Sequence, residues 1–221
     1  MQEEALVMEK SSVVSVRKTL FLACKRTFDI FCSLIGLIML LPVFFIVSII
    51  IKIDSRGPVF LVQKRIGKNG KEFNFYKFRS MVPNADEVLK ELLKDPKYKK
   101  EWDKNQKLDD DPRITKIGKI IRKISLDEVP QFINVFKGDM SLIGPRPLVE
   151  GELDAHNGNH EIYEKVKPGI TGWWACNGRS ATNYEERLKL EYYYAENASL
   201  SLDIKCIFRT IKAVISRTGA K

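Results

Sequence analysis

Only two histidines and four cysteines stand among the 221 residues. Cys24, Cys32, Cys176 and Cys206 form no Cys-x-x-Cys pair, and their spacing fits neither a zinc site nor a disulfide framework. The thiols read as reduced, in a protein facing the cytosol. His156 and His160 are four apart, a helix-face spacing, but "AHNGNHE" is loop chemistry, which disfavours a metal site there. No internal repeat and no low-complexity segment occurs. No cleavable leader fits: the chain starts "MQEE", and no small-residue cleavage site follows its apolar run. Acid is scarcer than base, 28 Asp+Glu against 37 Lys+Arg, for a formal net charge of +9. Such a surplus points to a polyanionic partner: nucleic acid, anionic lipid or a phosphorylated substrate. The bland alternative is a merely soluble basic surface. The length suits one medium domain plus an appendage.

What is there begins with "IFCSLIGLIMLLPVFFIVSIII", 22 uncharged residues from Ile30 to Ile51. About 20 apolar residues as helix cross the hydrocarbon core of a bilayer, so this segment holds the chain in a membrane. Both flanks are basic: Arg17, Lys18, Lys25 and Arg26 before, Lys52, Arg56, Lys64 and Arg65 after. A spanning helix cannot keep both basic flanks in the cytoplasm. Pro42 removes one helical hydrogen bond and kinks the helix. A helix–break–helix entering and leaving by one face meets both facts, and a kinked span is its equal competitor.

Residues 1–20 read as a mobile polar tail, 21–53 as the membrane segment broken at Pro42, and 54–221 as one cytosolic domain. Two β-like runs, Val59–Gln63 and Glu72–Phe78, flank the turn signal "GKNG", which predicts a hairpin. The charged stretch Asn84–Leu108 predicts two short helices parted at Asp95-Pro96. Ile117, Ile120, Ile121 and Ile124 mark an amphipathic helix. "YEERLKLEYYYAE" and "LDIKCIFRTIKAVISR" predict two more, the second basic and suited to core packing or an anionic membrane surface. The class is α+β, mostly helical: a membrane helix–break–helix, a short hairpin and amphipathic interfacial helices.

The chemistry centres on "RKISLDEVPQFINVFKGDMSLIGPRP", Arg122 to Pro147. Asp127 and Glu128 are adjacent. Ser125 with Glu128 fits a capping box, and Asp127 fits an acid in a first helical turn; these structural readings account for both acids without chemistry. Around them the sequence offers Lys77, Arg79, Arg113, Arg122, Lys123 and Arg146. Arginine forks grip phosphate oxygens and lysine supplies a point charge. "GDMSLIGPRP" adds glycines for close backbone approach and prolines for rigidity. A carboxylate can attack phosphorus to give an acyl phosphate, and its neighbour can hold Mg²⁺. Helical neighbours point about 100° apart, so one acid can face phosphorus and the other the metal.

"KRTFDIFCS", "DSRGPVFLVQKRIGKNGKEFNFYKFRSM", "DPRITKIGKIIRKISLDEVPQFINVFKGDMSLIGPRP" and "KPGITGWWACNGRS" together resemble the bacterial sugar transferases, the monotopic polyprenyl-phosphate phosphoglycosyl transferases. The resemblance runs from about Lys25 to the C-terminus. It implies transfer of a sugar 1-phosphate from a UDP-sugar to undecaprenyl phosphate with release of UMP, the first membrane step of capsule, exopolysaccharide, O-antigen or glycoprotein glycan assembly. It implies a re-entrant helix with both ends cytoplasmic, on the inner membrane of a bacterium. By resemblance Asp127 is the nucleophile and Glu128 the Mg²⁺ ligand, with Asp127 beside it. Lys77 and Arg122 match positions near the phosphates, and Arg79 and Arg113 stand with them as candidate substrate-binding residues. Asp139, Pro145, Arg146 and Pro147 shape the nucleotide pocket. Lys25 and Arg26 anchor the helix at the headgroups, and Pro42 is the break.

The sequence departs from that pattern in places. Leu41 precedes Pro42 where many members have serine, Val129 replaces leucine in "DEVPQ", and Ala175-Cys176 stand where Gln-Val is common. The long charged insert and the tail look like the hexose-1-phosphate transferases, without their extra N-terminal helices, so the chain resembles an isolated catalytic domain with glucose or galactose 1-phosphate as donor group. Expected partners are a UDP-sugar, undecaprenyl phosphate and anionic lipids, with downstream glycosyltransferases and a second copy as candidates. A non-enzymatic membrane adaptor is the rival reading, and it makes Asp127 and Glu128 dispensable. Nucleic-acid binding rests on charge alone and leaves the apolar run unexplained.

Overall fold

The computed structural model describes residues 2–105, 108–178 and 182–215, with side chains for 18–103, 108–178 and 182–213. The flanking Arg17, Arg179 and Ser180 of "NGRS", and the end of the last basic pattern from Ser216 on lie outside the described side chains. Helix α1 runs Gln2–Asp54. The stretch expected as a polar tail is therefore helical from Gln2. No glycine or proline occurs before Gly36, and Ala, Leu, Glu, Met and Lys favour helix. Helical assignment also continues through Pro42, so the expected break is not a stretch of non-helical residues. The proline withholds its own N–H from the carbonyl four residues back; one turn on, the Ser48 hydroxyl donates to Phe44 O at 2.6 Å. From Lys18 to Asp54 the mean hydropathy of the most apolar window is 3.1, and only 11% of that window is buried. Phe31, Met39, Phe45 and Ile53 are each at least 63% exposed. A soluble helix does not present such a face to water; α1 is long and apolar enough to cross a membrane.

The rest of the chain follows as β1 (Phe60–Ile66), β2 (Glu72–Phe78), α2 (Ala85–Leu92), α3 (Pro96–Asn105), α4 (Lys116–Lys123), α5 (Gln131–Lys137), β3 (Ser141–Ile143), α6 (His160–Tyr163), β4 (Gly169–Thr171), α7 (Trp173–Asn177), α8 (Tyr184–Asn197) and α9 (Leu200–Ile215). The β1–β2 hairpin is present, and its turn places Asn69 at φ 58° and Gly70 at φ 70°, the left-handed values that Asn and Gly tolerate best. The two helices parted at Pro96 are α2 and α3. Sequence reading missed the second sheet: β3 and β4 pair in parallel, Ser141 with Gly169 and Ile143 with Thr171. Three-residue strands carry almost no periodic signal.

Two compact units divide the chain. The first takes residues 1–38, 64–75 and 131–221. Its apolar clusters centre on Val135 and Met140, on Ile143, Tyr194 and Cys206, and on Leu148, Leu153 and Leu188. Here the start of the membrane helix is bolted down by polar groups. Lys25 Nζ donates to Asp203 at 2.7 Å, Arg26 donates to the carbonyls of Val135 and Phe136, and buried Asp29 accepts from Leu142 N and the Ser141 hydroxyl. The second unit takes residues 39–63 and 76–130. Its core is Val47, Ile51, Phe78 and Ile121, with Phe44 and Phe60 against Phe78. Helix α4 turns Ile121 inward but leaves Ile120 and Ile124 57% and 62% exposed, so only half of its isoleucine set is core.

Candidate active site

Asp127 and Glu128 lie in the second unit, in a single 3-10 turn, Leu126–Glu128. Ser125 precedes it at φ 55°, ψ 24°, and its side chain makes no cap hydrogen bond. Asp127 does stand in a first helical turn, as its structural reading expects, but the capping box does not form. Ser125 does not cap, and Glu128 reaches Lys77 Nζ at 2.9 Å rather than the Ser125 amide. A serine in the left-handed region costs about 1 kcal/mol, and strain of this kind gathers at functional turns. The two acids are then separated by environment. Asp127 is 9% exposed and has no ion pair among the described residues. The Glu128 side chain is 40% exposed and paired. Burial pushes the Asp127 carboxyl above the ordinary range; Lys77 pulls it down, the Glu128 charge pushes it up, and Arg122 pulls it down again. A buried carboxylate flanked by cations has the chemistry to act as a nucleophile, and the cations have the chemistry to bind an anion.

The expected phosphate-binding cations fall into two groups. Lys77 and Arg122 act on Asp127, and Arg122 Nε donates to the Ser80 hydroxyl at 2.7 Å. Arg79 and Arg113 are committed elsewhere. Arg79 is 6% exposed and donates to the carbonyls of Ser55 and Arg56, closing the C-terminal end of α1. Arg113 forks onto Asp111 at 2.8 and 2.7 Å and lies over the Trp102 ring. Both guanidinium groups are buried and bonded within the protein, although the buried Arg79 Nε has no hydrogen-bond partner.

In the first unit, Gly144-Pro145-Arg146-Pro147 leaves β3 as a rigid turn. A Cβ on Gly144 would lie 2.3 Å from Lys167 O, and one on Gly172 would lie 2.0 Å from Gly144 O, so the turn packs backbone on backbone against β4. Pro145 and Pro147 are buried while Arg146 is exposed. The Arg146 peptide is held at both ends. Glu191 Oε1 accepts from its N–H at 3.1 Å, and the Tyr163 hydroxyl donates to its carbonyl at 2.8 Å. Glu191 is 1% exposed, and burial pushes its carboxyl up to about 7 against the pull of the Arg146 N–H and the Arg187 charge. Sequence reading overlooked Glu191 and Tyr163. The available signal was spacing: Leu188, Glu191, Tyr194 and Ala195 share the buried stripe of α8. Asp139 closes the turn after α5, taking Asn134 Nδ2 at 3.4 Å and standing 3.9 Å from Lys137. His160 bridges Asp154 and Glu164 at 2.8 and 2.7 Å, and His156 stacks on Tyr184.

Among the described residues no three His, Cys, Asp or Glu side chains gather as a metal cage. Mg²⁺ needs none: it commonly takes one or two carboxylates and completes its shell with waters and substrate phosphates. The oxygen-only Asp127–Glu128 pair fits that donor set.

The profile of the family described as "bacterial sugar transferase" matches residues 20–217. An undecaprenyl-phosphate galactose phosphotransferase of Salmonella typhimurium is 45% identical over 218 residues, 98% of this chain and 45% of that protein. An exopolysaccharide production protein of Sinorhizobium fredii, ExoY, is 42% identical over 197 residues, 89% of this chain and 87% of that protein. A UDP-N-acetylgalactosamine-undecaprenyl-phosphate N-acetylgalactosaminephosphotransferase of Aeromonas hydrophila is 37% identical over 203 residues, 89% of this chain and 45% of that protein. The chain thus spans under half the length of the Salmonella and Aeromonas relatives and most of the Sinorhizobium one.

Proposed function

The chain belongs to the bacterial sugar transferase family, and on that premise we propose that it moves a sugar 1-phosphate from a UDP-sugar to undecaprenyl phosphate, releasing UMP. The observation that carries the reading is the separation of the two acids: Asp127 is buried and without an ion pair among the described residues, and Glu128 is more exposed and paired to Lys77. An Asp127 carboxylate oxygen attacks the β-phosphorus of the UDP-sugar. The bond from that phosphorus to the bridging oxygen breaks, and UMP leaves with the electron pair. The phosphosugar is then an acyl phosphate on Asp127. A phosphate oxygen of undecaprenyl phosphate attacks the same phosphorus, the bond to Asp127 breaks, and the carboxylate is regenerated beside a lipid-linked diphosphosugar. Lys77 and Arg122 hold the transferring phosphoryl group against Asp127 and offset its negative charge. Glu128, with Asp127, would hold Mg²⁺, which when bound supplies further charge neutralisation at the phosphoryl oxygens. Arg146 is assigned to the nucleotide diphosphate, with Asp139, Pro145 and Pro147 shaping its turn.

The first donor we assign is UDP-galactose, supported by the galactose phosphotransferase activity for which the Salmonella relative is named. The setting is the cytoplasmic face of a bacterial inner membrane, at the start of polysaccharide assembly. α1 is assigned as re-entrant, with Pro42 as its bend. The basic residues at both flanks, Lys18 to Arg26 and Lys52 to Arg65, support that topology, and cysteine labelling of both flanks from the cytoplasmic side tests it.

The deciding experiment measures UMP release by the full chain in nanodiscs with Mg²⁺, undecaprenyl phosphate and a panel of UDP-sugars. The expected result is lipid-dependent release with UDP-galactose, abolished in Asp127→Asn. Release that survives in Asp127→Asn sinks the covalent route. No release with any donor returns the adaptor reading.

A further inference from the structure

Behind the Arg146 turn, within the first unit, lies a cavity of about 720 Å³ with its open mouth, a size common among small-molecule sites. Its floor is apolar: Ile66 of β1 with Leu148, Leu153 and Val166. The Ile66 N–H donates to Leu148 O at 2.9 Å, which joins the hairpin to the loop after the turn. The polar groups of the lining include Asp154, His160 and Glu164. The two ring nitrogens of His160 stand 2.7 Å from Glu164 Oε1 and 2.8 Å from Asp154 Oδ1. Glu164 and then Asp154 push the imidazole above its ordinary range, and the charged ring donates to both acids. One oxygen of each carboxylate is thereby fixed. The other, Glu164 Oε2 and Asp154 Oδ2, accepts no hydrogen bond among the described residues. Gly70, which also lines the cavity, leaves room there: a Cβ on it would stand 3.0 Å from Glu164 Oε2. Glu164 is the more sheltered acid, its side chain 19% exposed against 71% for Asp154.

An apolar floor beside oriented carboxylates suits a sugar ring. One face of a pyranose is C–H surface, and its edge carries hydroxyls that donate to carboxylate oxygens. The place of the cavity says which molecule brings the sugar. Pro145 lines it, and so does Tyr163, whose hydroxyl donates to Arg146 O at 2.8 Å. The cavity and the Arg146 peptide thus share their supports, and Arg146 is the residue assigned above to the donor's diphosphate. That diphosphate carries a hexose at one end and uridine at the other. Uracil presents two carbonyl acceptors, which carboxylates repel, whereas every hydroxyl of a hexose can donate. We propose that this cavity is the subsite for the hexosyl group of the donor, with Glu164 and Asp154 accepting from its hydroxyls. The proposal rests on the transferase reading and deepens it by naming the residues that hold the sugar.

The test uses the full chain in nanodiscs, carrying Asp127→Asn so that no donor is consumed. Calorimetry gives one Kd for UDP-galactose and one for UDP, which lacks the hexose. Glu164→Gln should raise the Kd of UDP-galactose about tenfold, the worth of one hydrogen bond to a charged acceptor, and leave that of UDP within about twofold. Val149→Trp, at a partly exposed position of the lining, fills the cavity without touching an acid and should give the same pattern. Glu161→Gln, an exposed acid of α6 outside the lining, should change neither Kd. A Kd for UDP that rises in step with that for UDP-galactose would put the nucleoside in the cavity and overturn the hexose assignment. Two unmoved constants in both Glu164→Gln and Val149→Trp would leave His160 as a tie between α6 and the preceding loop, and the cavity would hold no part of the donor. A loss in Glu161→Gln matching that in Glu164→Gln would reduce the effect to diffuse charge. UMP release by the chain with Asp127 intact separates the failures. Release with unmoved constants sinks the subsite alone. No release with any donor, and no binding of either nucleotide, sinks the transferase reading and the subsite with it.

Discussion

Asp127 and Glu191 are buried carboxylates, one in each unit, whose burial pushes them above the ordinary range, and the two sit in opposite settings. Asp127, in the second unit, is on a 3-10 turn entered through a left-handed serine, without an ion pair among the described residues, with cations beside it and a partly exposed acid next in sequence. Glu191, in the first unit, is in the middle of α8, 1% exposed, and accepts a backbone N–H. Burial alone therefore does not mark a reactive acid. What distinguishes Asp127 is that, among the described residues, the cations acting on it, Lys77 and Arg122, form no ion pair with it. Glu191 serves the scaffold instead. Together with Tyr163 it holds the Arg146 peptide, and so sets where the exposed Arg146 side chain starts.

The largest expected effect breaks the comparison on activity. Asp127→Asn should lower UMP release by about 10³-fold or more, the scale of losing a covalent nucleophile, while Glu191→Gln keeps an acceptor oxygen and should cost less than about tenfold. Similar losses in both variants would mean that Asp127 is a structural acid too. Next in size is Lys77→Met. Lys77 lowers the Asp127 carboxyl more than any other charge does. Its loss should shift the acid limb of kcat/KM to higher pH and reduce the plateau by about 10- to 100-fold. An unmoved acid limb would show that the titrating group is not Asp127.

Much of the second unit could be read from sequence because its signals are local. Pro96 divides two charged helices, and the Asp-Glu pair is visible in the letters themselves. The hairpin turn is as plain, since Asn69-Gly70 suits left-handed backbone. The membrane segment shows in composition alone. What the letters do not carry is the set of partners that a charged side chain meets in the fold. For Arg79 and Arg113, expected near the phosphates, the fold adds hydrogen bonds to the carbonyls of Ser55 and Arg56 and to Asp111. For Lys25 and Arg26, expected as headgroup anchors, the fold adds hydrogen bonds to Asp203 and to the carbonyls of Val135 and Phe136. The parallel β3–β4 pair joins residues 28 apart through strands too short to show alternation. Ser125 and Glu128 match a capping box in letters only; the capping box that forms is Asn183 with Glu186, at the start of α8.

Glu191 makes a pH prediction of intermediate size. Its folded carboxyl titrates at about 7 against an ordinary 4.5, so the folded state holds this proton more tightly than the unfolded state. Stability from that preference is fully present below about 4.5 and is lost as pH rises through about 7. Between those values the native chain should lose on the order of 3 kcal/mol relative to Glu191→Gln, seen as a thermal midpoint that falls with pH in the native chain and less steeply in the variant. Parallel curves would show that the Arg146 N–H and the Arg187 charge already compensate the burial of Glu191, and that its contrast with Asp127 is one of position only.

The smallest effect concerns the two turns that deliver the acids. Asn183 accepts from Glu186 N at 2.9 Å, and Glu186 accepts from Asn183 N at 3.0 Å, so Asn183→Ala removes a working cap and should cost about 1 kcal/mol. Ser125 has the corresponding letters but no cap bond. Alanine tolerates the left-handed region no better than serine does, so Ser125→Ala should leave stability within about 0.5 kcal/mol. A loss of about 1 kcal/mol in Ser125→Ala would restore the cap, and with it the view that Glu128 is there to start a helix. A silent Ser125→Ala beside a costly Asn183→Ala would mean that the chain keeps the strained turn under Asp127 without local compensation. The energy that holds it must then come from packing around it, from Leu126 and Val129 against the Val47–Ile51–Phe78 core. In that case Leu126→Ala should lower stability and UMP release together, by withdrawing the support that fixes the Asp127 backbone.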